Sequence, residues 1–82
     1  MKVKYDKETD ILYIKLSEDK VAESDESRKG IILDYSEENL LVGIEILNAS
    51  KSSIQPSKVE YEVAWPWVTT ETIETTKITK KH

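Results

Sequence analysis

Apolar and polar residues alternate in four segments of the first half of the chain, and this pattern predicts β-strands. The segments are a short one around Val3 and Tyr5, then Ile11–Leu16, Gly30–Tyr35 and Leu40–Leu47. Polar stretches between them predict turns at residues 6–10 and 36–39. Residues 17–29 are polar and acidic, which predicts a loop that holds at most a short strand at Val21–Glu23. We therefore expect a small antiparallel meander.

The segment after the fourth strand predicts one further strand, preceded by residues 48–56, which are either a short helix or a loop. Residues 48–54 fit a turn or two of helix that is capped by Asn48 and ends before Pro56. Strict alternation from Val59 to Trp65 predicts a fifth strand. The expected class is mainly β, with a β-rich α+β arrangement left open, and four to five strands.

The predicted domain covers residues 1–68. Residues 69–82 contain six threonines and, as apolar residues, only Ile73 and Ile78. Two apolar side chains are too few to pack this segment against the domain by themselves. We therefore expect a tail that is flexible or ordered by a partner.

Apolar side chains point to both faces of the predicted sheet, although a sheet with one wet face should alternate more cleanly. Either the rest of the chain or a second copy of it must cover the second face. Trp65 and Trp67 either close the end of the core or anchor a partner, since tryptophan is enriched at interface hot spots. The candidate interface comprises Ile11, Tyr13, Ile32, Leu41, Leu47, Trp65 and Trp67.

Charge is distributed unevenly along the 82 residues, which carry a net charge of −4. Residues 1–50 hold seven bases and twelve acids, whereas residues 51–82 hold five bases and four acids. The negative half repels phosphate backbones, so nucleic-acid binding is disfavoured, and lysines of the tail could give only weak contact. The charged run Ser24–Lys29 is either a solvated loop or a docking patch for a basic protein. The many Lys, Glu and Ile residues are compatible with a thermophilic source.

The chain offers few residues for catalysis or for holding a cofactor. It has no cysteine, and its single histidine, His82, is the last residue, so a nucleophilic triad has no base. Two glycines cannot form a phosphate-binding loop. Asp6, Glu8 and Asp10 have the spacing of a calcium loop but lack its glycine and its final glutamate, so a hairpin turn explains them better. We expect no cofactor and no metal.

One carboxylate pair could do acid–base chemistry. Glu45 lies two residues after Gly43, on the same face of the predicted strand. Asp34 lies on the neighbouring predicted strand, where alternation allows its side chain to share that face. Structural charge is the simpler explanation, and we expect no enzyme. Gly43 itself lies within a strand, where a missing side chain indicates a bulge or the close approach of another backbone.

Several short motifs together resemble one small prokaryotic family. They are Val3-x-Tyr5-Asp6, Asp10-Ile11-Leu12-Tyr13-Ile14-x-Leu16, Gly30-x-x-Leu33-Asp34 and Gly43-Ile44-Glu45-Ile46-Leu47-x-Ala49-Ser50. The family is domain of unknown function 2283, and the resemblance covers residues 1–50. It implies a compact β-rich domain without an established activity. Family genes can lie beside genes for small toxin-like or nuclease-like proteins, which implies an antitoxin-like role.

These observations favour a protein–protein interaction module that self-associates, most simply as a dimer, with a basic protein as a second possible partner. The alternatives are a small enzyme that uses Glu45 and Asp34, or a weak nucleic-acid binder that uses the tail. The chain begins without the apolar run of a signal peptide and has no membrane-spanning window, so we expect a cytoplasmic protein.

Overall fold

The computed structural model describes residues 1–64, 69–74 and 77–81, and side chains are described for residues 1–64. The described chain forms two antiparallel sheets. The strands of the first are β1 Lys2–Asp6, β2 Ile11–Lys15, β3 Glu23–Arg28, β4 Ile31–Tyr35 and β5 Leu41–Leu47. Those of the second are β6 Lys58–Val63, β7 Thr69–Glu74 and β8 Lys77–Lys81. None of the described residues forms a helix that could cross a bilayer.

The first sheet confirms the mainly β prediction, but its strand order differs from a simple meander. The order is β1-β2-β5-β4-β3, so the last strand in sequence lies in the middle. The β1–β2 hairpin pairs with one edge of β5, and β4 pairs with the other edge. This placement suits β5 because it is apolar on alternate positions and its Val42 is only 2% exposed. A central strand has both backbone edges hydrogen-bonded.

Three tight connections rely on residues with left-handed backbone or on side-chain hydrogen bonds. In the β1–β2 turn, Asp6 accepts a hydrogen bond from the Glu8 N–H at 2.9 Å, which is an Asx turn. Gly30, with φ of 83°, forms the short β3–β4 turn. In the β4–β5 turn, Asn39 has φ of 64° and its N–H donates to the Ser36 carbonyl. The predicted turns at 6–10 and 36–39 are therefore present.

Strand β3 was not predicted from the pattern, which indicated a loop at residues 17–29. All six residues of β3 are polar and exposed, so they show no apolar alternation. The backbone pairing with β4 makes this segment a strand, from Glu23 opposite Tyr35 to Arg28 opposite Ile31, with a register shift after Glu26. At an edge, backbone hydrogen bonds alone can hold a strand that buries almost nothing.

The helix predicted for residues 48–54 is wrong beyond its first turn. The structure has only a 3-10 turn at Ala49–Lys51. Asn48 does precede it, but with φ of 52° and no side-chain capping bond, so it does not act as a helix cap. Serines follow at once, and Ser52 donates to the Ala49 carbonyl at 2.7 Å, which ends the turn.

The predicted fifth strand is β6, which lies in the second sheet instead of the first. It ends at Val63, and the predicted interface residues Trp65 and Trp67 lie outside the described residues. β7 and β8 fall in the Thr-rich segment, where the backbone of β7 pairs with both β6 and β8. The proposed boundary at residue 68 stays a prediction.

Candidate interaction surface

One face of the first sheet is aliphatic. Antiparallel partners place their side chains on the same side, and the register sets Leu12 opposite Ile46 and Ile14 opposite Ile44. On the far edge of β5, Ile44 is opposite Leu33. We call this surface the aliphatic face; its members on the three central strands are Leu12, Ile14, Ile31, Leu33, Ile44 and Ile46. None of these six side chains is charged.

The aliphatic face is only partly shielded from solvent. Leu12 is 6% exposed, whereas the other five members are half-buried. Five of the six members thus keep part of their side-chain surface in contact with solvent. Domains normally bury an apolar sheet face against a second layer. The partial exposure of this face leaves apolar surface that such a layer could still cover.

The opposite face, which we call the mixed face, holds most of the predicted interface residues. Ile11 is opposite Leu47, and both are half-buried, as are Tyr13 and Ile32. Leu41 lies at the other end of β5 and is 40% exposed. The sequence therefore placed four of the seven candidates together. Their use as an interface stays a prediction.

The centre of the mixed face is polar and is built over Gly43. A Cβ at this position would lie 2.8 Å from the Tyr13 hydroxyl oxygen and 3.1 Å from Asp34 Oδ2. Both side chains thus reach across β5 into the space that glycine leaves. The sequence predicted a bulge or the close approach of another backbone at this position. The bulge is confirmed, because the register shifts between Asp34 and Tyr35 of β4. Side chains, and not another backbone, fill the space above Gly43.

Asp34 and Glu45 form the carboxyl pair that the sequence suggested. Asp34 is 2% exposed and accepts a hydrogen bond from the Ser24 hydroxyl at 2.6 Å. Glu45 is opposite Tyr13 on one side and Ile32 on the other, and it is half-buried. Partial burial raises the pKa of Glu45, and the hydrogen bond and charge of Asp34 raise it further.

A second polar cluster fastens the β1–β2 hairpin to the segment after β5. Asp10, with φ of 58°, accepts a hydrogen bond from the Tyr5 hydroxyl at 2.7 Å. The Ser50 backbone N–H and hydroxyl donate to the same carboxylate at 2.9 and 2.8 Å. The Tyr5 hydroxyl, followed by the donors of Ser50, lowers the pKa of Asp10. Sequence reasoning missed this cluster, because 40 residues separate Asp10 from Ser50.

The residues with calcium-loop spacing instead build the hairpin turn. Asp6 accepts from the turn backbone, and Asp10 accepts from Tyr5 and Ser50. Among the described residues, no group of three or more His, Cys, Asp or Glu side chains could hold a metal ion.

The two edges of the first sheet carry different charges. β1 contributes Lys2 and Lys4, whereas β3 contributes Glu23, Asp25 and Glu26 against a single Arg28. Glu26 also accepts a hydrogen bond from the Gly30 N–H at 2.9 Å, which ties it to the β3–β4 turn. The acidic run that was predicted to be a solvated loop or docking patch is thus an exposed edge strand.

A family described as "Protein of unknown function (DUF2283)" matches residues 2–50. This range is more than half of the chain and contains the whole first sheet, so the chain belongs to that family, as its motifs indicated. Neither the comparison with curated proteins nor the comparison with solved structures gives a match.

Proposed function

We propose that this member of the DUF2283 family is a protein–protein interaction module that self-associates through its aliphatic face. The observation that carries the proposal is the partial exposure of the aliphatic face. Central residues such as Ile14, Ile44 and Leu33 are only half-buried, although an apolar sheet face is normally covered by a second layer. A second copy would supply that layer, as in a β-sandwich.

The aliphatic face also suits a symmetric dimer. A symmetric dimer uses the same surface on both copies. An uncharged surface meets this requirement without opposing like charges.

Pairing of identical strand edges is a poorer route to a dimer. Two β3 edges would bring together strands that each carry a net charge of −2, and β1 carries the charged side chains Lys2, Lys4 and Asp6. Like charges opposite each other destabilise strand pairing, and charged edges are a common device against it. We therefore favour contact between faces.

The mass in solution tests the proposal. Light scattering after size exclusion at tens of micromolar should give twice the chain mass of 9.4 kDa. The variant Ile14→Thr/Ile44→Thr keeps β-branched residues but places two hydroxyls on the aliphatic face, and it should shift the mass toward the monomer. Leu40→Thr is the matched control, because Leu40 is 59% exposed in the β4–β5 turn, and it should leave the mass unchanged.

Circular dichroism separates loss of association from loss of folding, because a monomeric variant should keep its β spectrum. A monomer mass for the unmodified protein at that concentration would refute the proposal.

For the carboxyl pair we propose a structural role. Asp34 is held by Ser24, and both Tyr13 and Asp34 fill the space above Gly43. These contacts explain why two acids can lie side by side without a substrate.

A further inference from the structure

Two of the four outer edges in the described sheets carry strong and opposite charge. β3 has three acids and one arginine, which gives a net charge of −2. β8 has the sequence Lys-Ile-Thr-Lys-Lys, which gives a net charge of +3. The other two outer strands, β1 and β6, carry both signs and are close to neutral.

Both charged strands have a free backbone edge in the described chain. β3 pairs only with β4, and β8 pairs only with β7, among the residues that the structure describes. An unpaired edge presents a row of N–H and C=O groups that another strand can complete. Opposite charges on two such edges favour their pairing, just as like charges disfavour it.

We infer that β3 of one copy pairs with β8 of a second copy, so that the acidic edge of each first sheet is completed by the basic strand of its partner. This inference rests on the self-association proposed above and specifies a second contact within it. The strand lengths are compatible, since β3 has six residues and β8 has five. The pairing also gives the Thr/Lys-rich segment a function. β8 has a single apolar residue, and pairing with β3 would supply it with backbone hydrogen bonds and ion pairs.

Symmetry distinguishes this pairing from its nearest competitor. β1 also carries lysines, but pairing β1 of one copy with β3 of the next joins two edges of the same sheet head to tail. Unless it closes into a ring, such a contact continues into an open filament. β3 and β8 lie in different sheets, so two copies can exchange β8 strands reciprocally, and that exchange closes after two. It is therefore compatible with a discrete dimer.

Charge reversal tests the pairing. In Glu23→Lys/Asp25→Lys, two acids of β3 become basic; in Lys77→Glu/Lys80→Glu, two lysines of β8 become acidic. At low salt each variant alone should weaken the dimer about tenfold or more, since two attractive pairs per strand become repulsive. The chain that carries all four substitutions should recover most of the affinity. Sedimentation equilibrium measures all four dissociation constants.

The matched control is Glu37→Lys/Glu38→Lys, which changes the net charge as much as the β3 variant does. These two acids are exposed in the β4–β5 turn and belong to neither of the strands that would pair. The control should change the dissociation constant less than threefold. Equal weakening by the control and by the β3 variant would overturn the inference, because net charge alone would then explain the effect. Glu26 is kept in every variant because it binds the Gly30 N–H.

Engineered cysteines show which copy supplies the strand, and the natural chain has none to interfere. Under oxidation, Asp25→Cys/Thr79→Cys should form a covalent dimer. Two results would contradict the inference in a protein that still has the mass of a dimer: a disulfide within one chain, or no disulfide at all. The proposed self-association through the aliphatic face would then remain without the pairing of β3 with β8. A monomer mass for the unmodified chain instead refutes self-association itself.

Discussion

Gly43 tests the packing above β5. We expect Gly43→Ala to lower the free energy of unfolding, whereas a glycine-to-alanine change on ordinary strand backbone usually raises it. Gly43 has no positive φ, so Gly43→Ala places a methyl group on ordinary strand backbone. At such a site the change usually stabilises a protein by about 0.4–1 kcal/mol, because it restricts the unfolded chain. Here the new Cβ would lie 2.8 Å from the Tyr13 hydroxyl and 3.1 Å from Asp34 Oδ2. Real Cβ contacts are not this short, so the structure must shift.

The cost follows from what has to move. Asp34 is 2% exposed and held by Ser24, so it cannot swing out without losing that hydrogen bond. Tyr13 can move only as a whole ring. Overpacking of this kind costs about 1–3 kcal/mol, which exceeds the gain from the unfolded state. We expect Gly43→Ala to lower the free energy of unfolding by about 1–2 kcal/mol, a large part of the ~3–5 kcal/mol expected for a domain of this size.

Urea denaturation at one fixed protein concentration measures the change, since association contributes to apparent stability. Tyr13→Phe removes the atom nearest to the new methyl group, so the double variant Tyr13→Phe/Gly43→Ala should lose less stability than the two single changes together. Gly30→Ala is the control. It should destabilise through its φ of 83°, without any dependence on Tyr13. If Gly43→Ala proved more stable than the natural protein, the proposed crowding above Gly43 would be wrong.

Three further changes probe other parts of the structure. Burial and Asp34 raise the pKa of Glu45. Its contribution to stability is therefore complete below the unfolded pKa of about 4.3 and declines as the pH rises through the folded pKa. The urea midpoint of the natural protein should fall over this pH window, whereas that of Glu45→Gln should stay flat. The pKa of Asp10 is lowered, so its contribution is present above the unfolded value of about 3.9 and declines as the pH falls through the folded value. Ser50→Ala removes the hydroxyl donor but keeps the backbone N–H, so it should raise the Asp10 pKa, as measured by NMR titration, and an unchanged value would exclude the contact of the Ser50 hydroxyl. Val42→Ala should lower the free energy of unfolding by about 1–3 kcal/mol in urea denaturation, because Val42 is 2% exposed. Val21→Ala, at 47% exposure, should lower it by less than about 0.5 kcal/mol. Equal losses in the two variants would contradict the central position of β5.

The strands with regular apolar spacing could be predicted to within a residue or two. The expected Ile11–Leu16 is Ile11–Lys15, and the expected Leu40–Leu47 is Leu41–Leu47. In both segments burial decides the structure, and burial leaves a period of two in the sequence. β3 left no such trace because its six residues are all exposed. A strand that is held by backbone pairing alone cannot be found from side-chain patterns.

The strand order could not be predicted for a related reason. Alternation shows that Leu41–Leu47 has apolar residues on both faces, but not which strands lie on either side of it. The connection after β2 decides this: the N–H groups of Leu16 and Ser17 donate to the Val42 carbonyl, and that of Ala22 donates to the Tyr35 carbonyl. These bonds carry the chain past β5 and β4 to the far edge of the sheet.

The candidate site was partly predictable. Alternation correctly placed Ile11, Tyr13 and Leu47 on one face, and the glycine within β5 correctly indicated a bulge. The sequence suggested that Asp34 and Glu45 share a face, and the register confirms it, since Asp34 is opposite Gly43 and Glu45 is opposite Ile32. What it could not show is how far each face of the sheet is exposed. Packing between layers depends on distant segments, whereas alternation reports only on neighbours.

The central position of β5 has a consequence for synthesis on the ribosome. Residues 2–35 contain four of the five strands of the first sheet, yet they can form only two separate hairpins until Leu41–Leu47 has left the exit tunnel. Isolated hairpins are marginally stable in water. The nascent chain therefore gains its cooperative structure in one step, when the last strand enters between the first two pairs.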